Sequence, residues 1–284
     1  MSKFLSAVAV TEFDSMVKQA YQGMGMLRPT VTQRNNVVAD TYKFRRMGKG
    51  LANQKSTSDL VTPMNVEHEL ITCTLANWNA PEYTDMFDAA EVNFDEKQEL
   101  AETVAGALGR RDDQIIIDAL DASTPLTTAV ATSVGGAASN LNMAKIIRAK
   151  VELKKQGVNT RQGGQFHAVI EADGLSGLLN DQLITSSDYQ AIKALVNGEV
   201  NTLAGFKFHI LEDRVEGGLT VAANVVDSYF YHTQAVGLAT GIAPKTEINW
   251  IPERTSWLTN GCLRSGAVVR DSGGLVKVQY TKTA

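Results

Sequence analysis

The sequence DEKQELAETVAGALGRRDDQIIIDALDA, residues 95–122, predicts one long helix. Asp95 can cap its N-terminus, and Gln98 three residues later completes a capping-box pattern. The run contains no proline, and at about 1.5 Å per residue the helix is roughly 40 Å long. Apolar side chains recur at near-helical spacing on one face, namely Leu100, Val104, Leu108, Ile115 and Ala119. We therefore expect the rest of the chain to pack along this helix.

Two features within the helix indicate partners. Gly106 and Gly109 each cost about 1 kcal/mol relative to alanine in a helix, so we expect another backbone to pass close to them. A charge cluster follows, which consists of Arg110, Arg111, Asp112 and Asp113. Pairing within the helix does not use up these charges, so they are candidates for contacts beyond it. A solvated polar face is the simpler alternative.

The composition is that of a soluble globular protein with one or two domains. The chain has 284 residues, of which 44% are hydrophobic and 20% charged. No apolar run approaches the roughly 18 residues that span a bilayer, and the first residues are too weakly hydrophobic for a secretory signal. Cys73 and Cys262 are the only cysteines, which favours a reducing cytoplasm. A net charge of −4 does not indicate wholesale capture of nucleic acid.

Residues 1–36 predict an N-terminal arm. Residues 11–23 fit a short helix, and the remainder has little periodicity, so it gains order by lying on something else. A frayed terminus is the alternative.

Residues 37–79 predict a long extended hairpin. Its strands are VVADTYKFRRM, residues 37–47, and NVEHELITCTL, residues 65–75, which a polar tip connects. Charged side chains of the hairpin include Lys43, Arg45, Arg46, Lys49, Lys55, Glu67 and Glu69. Basic residues on the outgoing strand and acidic ones on the returning strand predict cross-strand pairing. An isolated two-stranded hairpin is marginal in water, so this one is either mobile or docked on another molecule.

Strands and helices alternate in residues 124–235, which predicts one α/β lobe. Its helices are expected near residues 140–156, from Asp173 and near residues 187–196, and its strands at residues 166–170, 200–203, 206–211 and 219–232. Asn140 or Asn142 caps the first of these helices, and Gly157 ends it. Residues 235–240 predict a short helix or turn. Strands follow at residues 246–251, 262–270 and 275–282, with DSGG, residues 271–274, as a hairpin turn between the last two.

No catalytic, cofactor or metal site is predicted. The histidines, which are His68, His167, His209 and His232, lack metal-ligand spacing. Neither a phosphate-binding loop nor a dinucleotide-binding glycine pattern is present. The run from Gly174 to Gly177 is one residue short of a nucleophile elbow.

An arm and a long hairpin precede three informative stretches: ELAETVAGALGRRDDQIIIDAL, residues 99–120, GEVNTLAGFKFHILEDR, residues 198–214, and GAVVRDSGGLVKVQ, residues 266–279. The order of these parts resembles that in the major capsid protein of tailed double-stranded DNA bacteriophages. The resemblance implies an α+β, Hong Kong 97-like capsid fold. Its parts would be an N-arm (1–36), an extended E-loop (37–79), a peripheral domain (80–123) with a spine helix (95–122), an α/β axial domain (124–235) and peripheral return strands (236–284).

The resemblance implies a structural protein without a cofactor. Pentamers and hexamers would form an icosahedral virion shell around DNA that is contacted non-specifically, assembled in the host bacterial cytoplasm without a membrane. The family's built-in scaffold extension is not matched, so we expect a separate scaffolding protein or an already mature chain, with a portal and a decoration protein as further partners. Some members carry a Lys–Asn cross-link. Lys49 and Lys55 occupy the hairpin, but neither the asparagine nor the catalytic acid is matched, so we do not infer the cross-link.

The resemblance makes the charged residues candidates for contacts between subunits. These are Arg45, Arg46, Lys49, Lys55, Glu67, Glu69, Arg110, Arg111, Asp112 and Asp113. The nearest alternative function is an encapsulin-like bacterial nanocompartment shell. A cytoplasmic α/β enzyme with an unrecognised site is the alternative from a different class.

Overall fold

A computed structural model describes residues 25–87, 96–159, 163–181 and 202–282. The helices are α1 (Glu96–Asp121), α2 (Met143–Lys155) and α3 (Ala172–Asn180). The strands are β1 (Thr32–Arg34), β2 (Thr41–Met47), β3 (His68–Thr74), β4 (Ala76–Asp85), β5 (Phe166–Glu171), β6 (Thr202–Leu203), β7 (Phe206–Leu211), β8 (Val221–Ala222), β9 (Val225–His232), β10 (Val236–Ile251), β11 (Ser256–Val269) and β12 (Leu275–Thr281). Among the described residues, no helix combines the length and apolarity needed to cross a bilayer.

The first sheet has the strand order β1-β10-β11-β4, and α1 packs across it. Strand β1 is parallel to β10, while β10, β11 and β4 are antiparallel. The helix lies close to β11 at Gly261, where an added Cβ would stand 2.4 Å from Val104 Cγ1 and 2.9 Å from Leu108 Cδ1. The glycine therefore sets the distance between helix and sheet.

The second sheet has the order β12-β9-β5-β7-β6, and β8 pairs with β9. Strand β5 is parallel to β7 and antiparallel to β9, and every residue of β5 is buried. A central strand that is buried on both faces has a mostly apolar sequence. Residues 166–170 form such a run, which predicts the buried strand that the structure shows. One apolar cluster continues from this sheet to Ile116, Ile117 and Leu120 of α1, so both sheets share a core.

The predictions of α1, α2 and α3 agree with the structure. Helix α1 falls within one residue of the predicted range, although Asp95 and the helix predicted at residues 187–196 lie outside the described residues, as does the one at 11–23. The Asn142 side chain caps α2 by accepting the Lys145 backbone N–H at 3.0 Å. Gly157 follows α2 with φ +84°, which suits a residue without a side chain.

The predicted hairpin between the last two strands is wrong. Strand β11 pairs with β10 and β4, whereas β12 pairs with β9 in the other sheet. Ser272–Gly274 form a 3-10 turn that carries the chain between the sheets. Val278 and Tyr280 of β12 are fully buried, and the second sheet provides the interior for them. The segment 236–284, predicted as one group of return strands, is therefore divided between two sheets.

Two further boundaries differ from the sequence-based expectation. Residues 235–240 do not form a helix, because all but the first belong to the 16-residue strand β10, which β1 and β11 flank. Residues 76–85, which the prediction divides between the hairpin and the lead into the helix, form β4. In both places, pairing within the sheet outweighs the local pattern.

Candidate intersubunit surfaces

The base of the hairpin is anchored on its own subunit. Strands β2 and β3 pair in antiparallel register, as predicted, with Phe44 opposite Ile71 and Arg46 opposite Glu69. A small apolar cluster beneath them consists of Phe44, Cys73, Leu75 and Ala239. Ala239 belongs to β10, so this cluster attaches the hairpin to the first sheet. Burial raises the pKa of the Cys73 thiol to about 11, which keeps it protonated.

Several charged residues of the hairpin also bond within the subunit. The Arg46 guanidinium reaches the Glu69 carboxylate at 3.1 Å, a cross-strand pair of the predicted kind, and the Asp271 carboxylate at 3.0 Å. Lys49 Nζ donates to the Gln156 carbonyl oxygen at 3.0 Å. These partly exposed contacts are each worth about 0–1 kcal/mol, so they orient the hairpin without fixing it strongly.

The tip of the hairpin, residues 48–67, contains neither helix nor strand. Apolar side chains there stand in solvent: Leu51 is 82% exposed and Leu60 94%, and Val61 and Met64 are exposed as well. Arg45, Lys55 and Glu67 are also exposed. Large exposed apolar patches mark surfaces that another molecule covers, and these four exposed side chains all belong to the tip.

The acidic half of the helix cluster lies inside the subunit. Asp112 is 3% exposed and accepts hydrogen bonds from Arg28 Nη1 at 3.1 Å and Ser265 Oγ at 2.9 Å. Asp113 is 0% exposed and accepts from the Leu27 amide at 2.8 Å and from Arg214 Nη2 at 2.9 Å. The Met26 amide donates to it as well. The two carboxylates thus join α1 to the arm, to β11 and to the segment after β7.

This placement corrects the expectation that Asp112 and Asp113 contact another subunit. Burial raises the pKa of both carboxyls, although neighbouring arginines and amide N–H groups partly oppose the rise. The sequence contains an indication of this burial. Asp112 lies four residues after Leu108 and four before Ile116, so all three share the buried face of the helix. A carboxylate within an apolar stripe indicates an internal partner.

The glycine prediction is confirmed at one of its two positions. A Cβ added to Gly25 would lie 2.5 Å from the Gly109 carbonyl oxygen, so the backbone of the arm passes directly over the helix there. For Gly106, which is buried, the close approach stays a prediction.

The basic half of the cluster also faces the subunit's own residues. Arg111 Nε lies 2.6 Å from a Glu216 carboxylate oxygen. Its guanidinium stands 4.1 Å from the centre of the Trp78 ring, a cation–π contact. Arg110 is half-buried next to it in the helix. The cluster therefore connects α1 to β4 and to the segment after β7 within one subunit.

The structure joins two histidines that are 42 residues apart in the sequence. His167 Nδ1 lies 3.0 Å from His209 Nε2, and His167 Nε2 lies 3.0 Å from Thr233 Oγ1. Burial lowers the pKa of both histidines to about 4, so both are neutral at pH 7. The pairing of β5 with β7 creates this contact, which sequence spacing could not reveal. In the described part of the chain, no three metal-ligating side chains gather into a group that could hold a metal ion.

The model of a family described as "Phage capsid protein" matches residues 5–282. A search of curated proteins found no match.

Three solved structures illustrate the likeness in fold. The capsid structure of the cyanophage P-SCSP1u has a TM-score of 0.73 at 13% identity, covering 98% of this chain and 95% of that one. The acidic stable capsid structure of Helicobacter pylori bacteriophage KHP30 also scores 0.73, at 10% identity with 99% and 98% coverage. A structure from Mycobacterium phage Che8 scores 0.65, at 14% identity with 95% and 97% coverage. The α+β, Hong Kong 97-like fold predicted from the sequence is confirmed.

Proposed function

The chain belongs to the phage capsid protein family, and on this premise we propose that its hairpin, residues 37–79, lies over a neighbouring copy of the chain in an icosahedral shell. The protein is a structural component of the virion capsid, and copies of it assemble as capsomers into a shell. It is structural rather than enzymatic, so neither the enzyme alternative nor the nanocompartment alternative is favoured.

The observation that carries the proposal is the exposed hairpin tip. Leu51, Leu60, Val61 and Met64 project into solvent beyond the point where the base is anchored. Burying one such side chain is worth about 1.5–3 kcal/mol. A neighbouring subunit that covered the tip would therefore bury several of these side chains at once, and their burial free energies would add to the stability of the contact. Arg45, Lys55 and Glu67 would add charge contacts at the rim, each of them modest.

The remaining expectations about assembly follow from the same premise. Heterologous contacts that repeat around five- and six-fold rings would build the pentamers and hexamers. The arm would add contacts through its first residues, since residues 26–34 already lie on α1 and β10 of their own subunit. Assembly in the host bacterial cytoplasm, with a separate scaffolding protein, a portal, a decoration protein and non-specifically held double-stranded DNA, belongs to the proposal as well.

Deletion of residues 48–58 tests the role of the hairpin. We expect a folded subunit that does not close into shells, as judged by size-exclusion chromatography and electron microscopy. A finer variant, Leu60→Ser with Val61→Ser, should impair assembly in the same direction. Val215→Ser is the matched control, because Val215 is an equally exposed apolar residue outside the hairpin. Normal particles from the deletion variant would refute the proposal.

A further inference from the structure

A cleft of about 430 Å³ separates the base of the hairpin from the second sheet. Arg45 and Arg46 line it from β2, His232 lines it from the end of β9, and Arg270 and Asp271 line it from the segment after β11. The cleft is separate from the exposed tip, and the capsid function does not account for its composition.

The charges around this cleft do not balance. Arg46 is compensated by Glu69 and Asp271. Arg45 and Arg270 have no carboxylate partner among the described residues. The Arg270 guanidinium instead stands 5.2 Å from the centre of the Phe44 ring, and its Nε is buried without a hydrogen-bond acceptor in the described parts of the chain. Three guanidinium groups and these two carboxylates therefore leave a net positive charge around the cleft.

His232 adds a buried donor to the same lining. The Gln234 amide donates to its Nδ1 at 3.3 Å, so the proton of the neutral imidazole resides on Nε2. That Nε2 is buried and has no partner among the described residues, and the residue as a whole is 3% exposed. Buried N–H groups in proteins are almost always hydrogen-bonded, so an unpaired one in the lining of a cleft that also contains two arginines without carboxylate partners indicates an acceptor that is supplied from outside.

We propose that this cleft binds a phosphate-type oxyanion, held by the guanidinium groups of Arg45 and Arg270 and by His232 Nε2–H. Guanidinium groups bind phosphate through paired, charge-assisted hydrogen bonds. Because Arg45 belongs to the hairpin and Arg270 follows β11, a bound oxyanion bridges the hairpin to the body of the subunit. Free phosphate and a phosphodiester of nucleic acid share this chemistry. The binding itself does not require assembly, so it can fail or succeed independently of the hairpin's role in the shell.

Calorimetric titration of purified subunits with inorganic phosphate, at constant ionic strength maintained with chloride, tests the site. We expect saturable binding that Arg45→Gln with Arg270→Gln weakens about tenfold or more. Arg45→Gln alone, at an exposed position that is not expected to affect folding, should weaken binding by a smaller factor. Arg254→Gln is the matched control, because Arg254 stacks on Tyr83 at 4.8 Å between β10 and β11, outside the cleft.

A competition experiment distinguishes the two sources of phosphate. A short DNA duplex that displaces phosphate from the wild-type subunit but not from the double variant would identify the phosphodiester as the ligand. A duplex that leaves phosphate bound would identify the free ion. Absence of saturable phosphate binding in the wild type, or wild-type affinity in both Arg45 variants, would overturn the proposal.

Discussion

Asp113 shows how one charged residue organises three segments that are distant in the sequence. Its carboxylate accepts from the backbone of the arm and from Arg214. Burial of an anion costs free energy, and in this position only hydrogen-bond donors from separate segments offset it. The residue therefore requires the arm and the segment after β7 to be in place at the same time.

Asp113→Ala should lower the free energy of unfolding by about 3–5 kcal/mol, since it leaves a buried guanidinium and two amide groups without their acceptor. Denaturation of the subunit in urea measures this loss. Asp118→Ala is the matched control, because Asp118 is exposed on the same helix and surface changes cost about 0.5 kcal/mol or less. Equal losses in the two variants would contradict the anchoring role.

His167 and His209 should make the subunit acid-sensitive. Each has a pKa of about 4 in the folded protein, below the ordinary value of 6.5, so between these values the unfolded chain binds more protons. Stability is therefore complete above about pH 6.5 and falls as the pH decreases towards 4, by at most about 3 kcal/mol per histidine. The raised pKa values of Asp112 and Asp113 act in the opposite direction, because protonation of those carboxyls favours the folded state.

Comparing variants isolates the contribution of the histidines, since the carboxylates are common to all of them. Melting temperatures of the wild type, His167→Gln and His68→Gln should be measured from pH 7.5 to 4.5. His68 is exposed at the start of β3, so its variant should follow the wild-type profile. The melting temperature of His167→Gln should decrease less steeply as the pH falls. A profile as steep as that of the wild type would contradict the conclusion that His167 makes the subunit acid-sensitive.

At the scale of elements, the contact between α1 and β11 depends on a residue with no side chain. The stripe that faces the sheet includes Val104 and Leu108, and both meet the backbone at Gly261. Close packing of a helix on a sheet allows little room for an added methyl group. The periodicity of the sequence predicts the helix. Nothing comparable in the sequence of β11 indicates that Gly261 contacts this helix.

Gly261→Ala should destabilise the subunit by about 1–3 kcal/mol, because the new Cβ overlaps the side chains of α1 and forces the helix away from the sheet. Thermal unfolding of the subunit measures the effect. Gly48→Ala provides the control, since its Cβ would make an ordinary contact at 3.4 Å with the Glu67 carbonyl oxygen. Equal melting temperatures of the two variants would contradict the inference that close packing of α1 on β11 requires glycine at position 261.

At the scale of the whole molecule, the two sheets share one core and the hairpin projects from it. The base of the hairpin is anchored by a small cluster and a few partly exposed ion pairs, and the tip has no contact of comparable extent with the other described residues. The stability of the body is therefore expected to be independent of the tip. Stability of the assembly, in contrast, would come from many such tips together.

Assembled shells should consequently melt at a higher temperature than free subunits, because each tip buries apolar surface on a neighbour only in the shell. Subunits that lack residues 48–58 should melt at the temperature of wild-type free subunits. Differential scanning calorimetry of the three samples provides the comparison. Shells that melt together with free subunits would contradict the collective contribution, and a deletion variant that melts much lower would show that the tip supports its own subunit.

The sequence by itself determined α1, α2 and the pairing of β2 with β3, and it narrowed the cap of α2 to Asn140 or Asn142. These elements depend on periodicity, capping and cross-strand charge over short separations. The order of these parts also indicated the capsid family. Only the tertiary structure decided that Asp112 and Asp113 face inward, that His167 meets His209 and that β12 leaves β11 for β9. The physical reason is that local conformational preferences depend on neighbouring residues, whereas the partner of a buried strand or charge is selected by the packing and hydrogen bonding of the whole core.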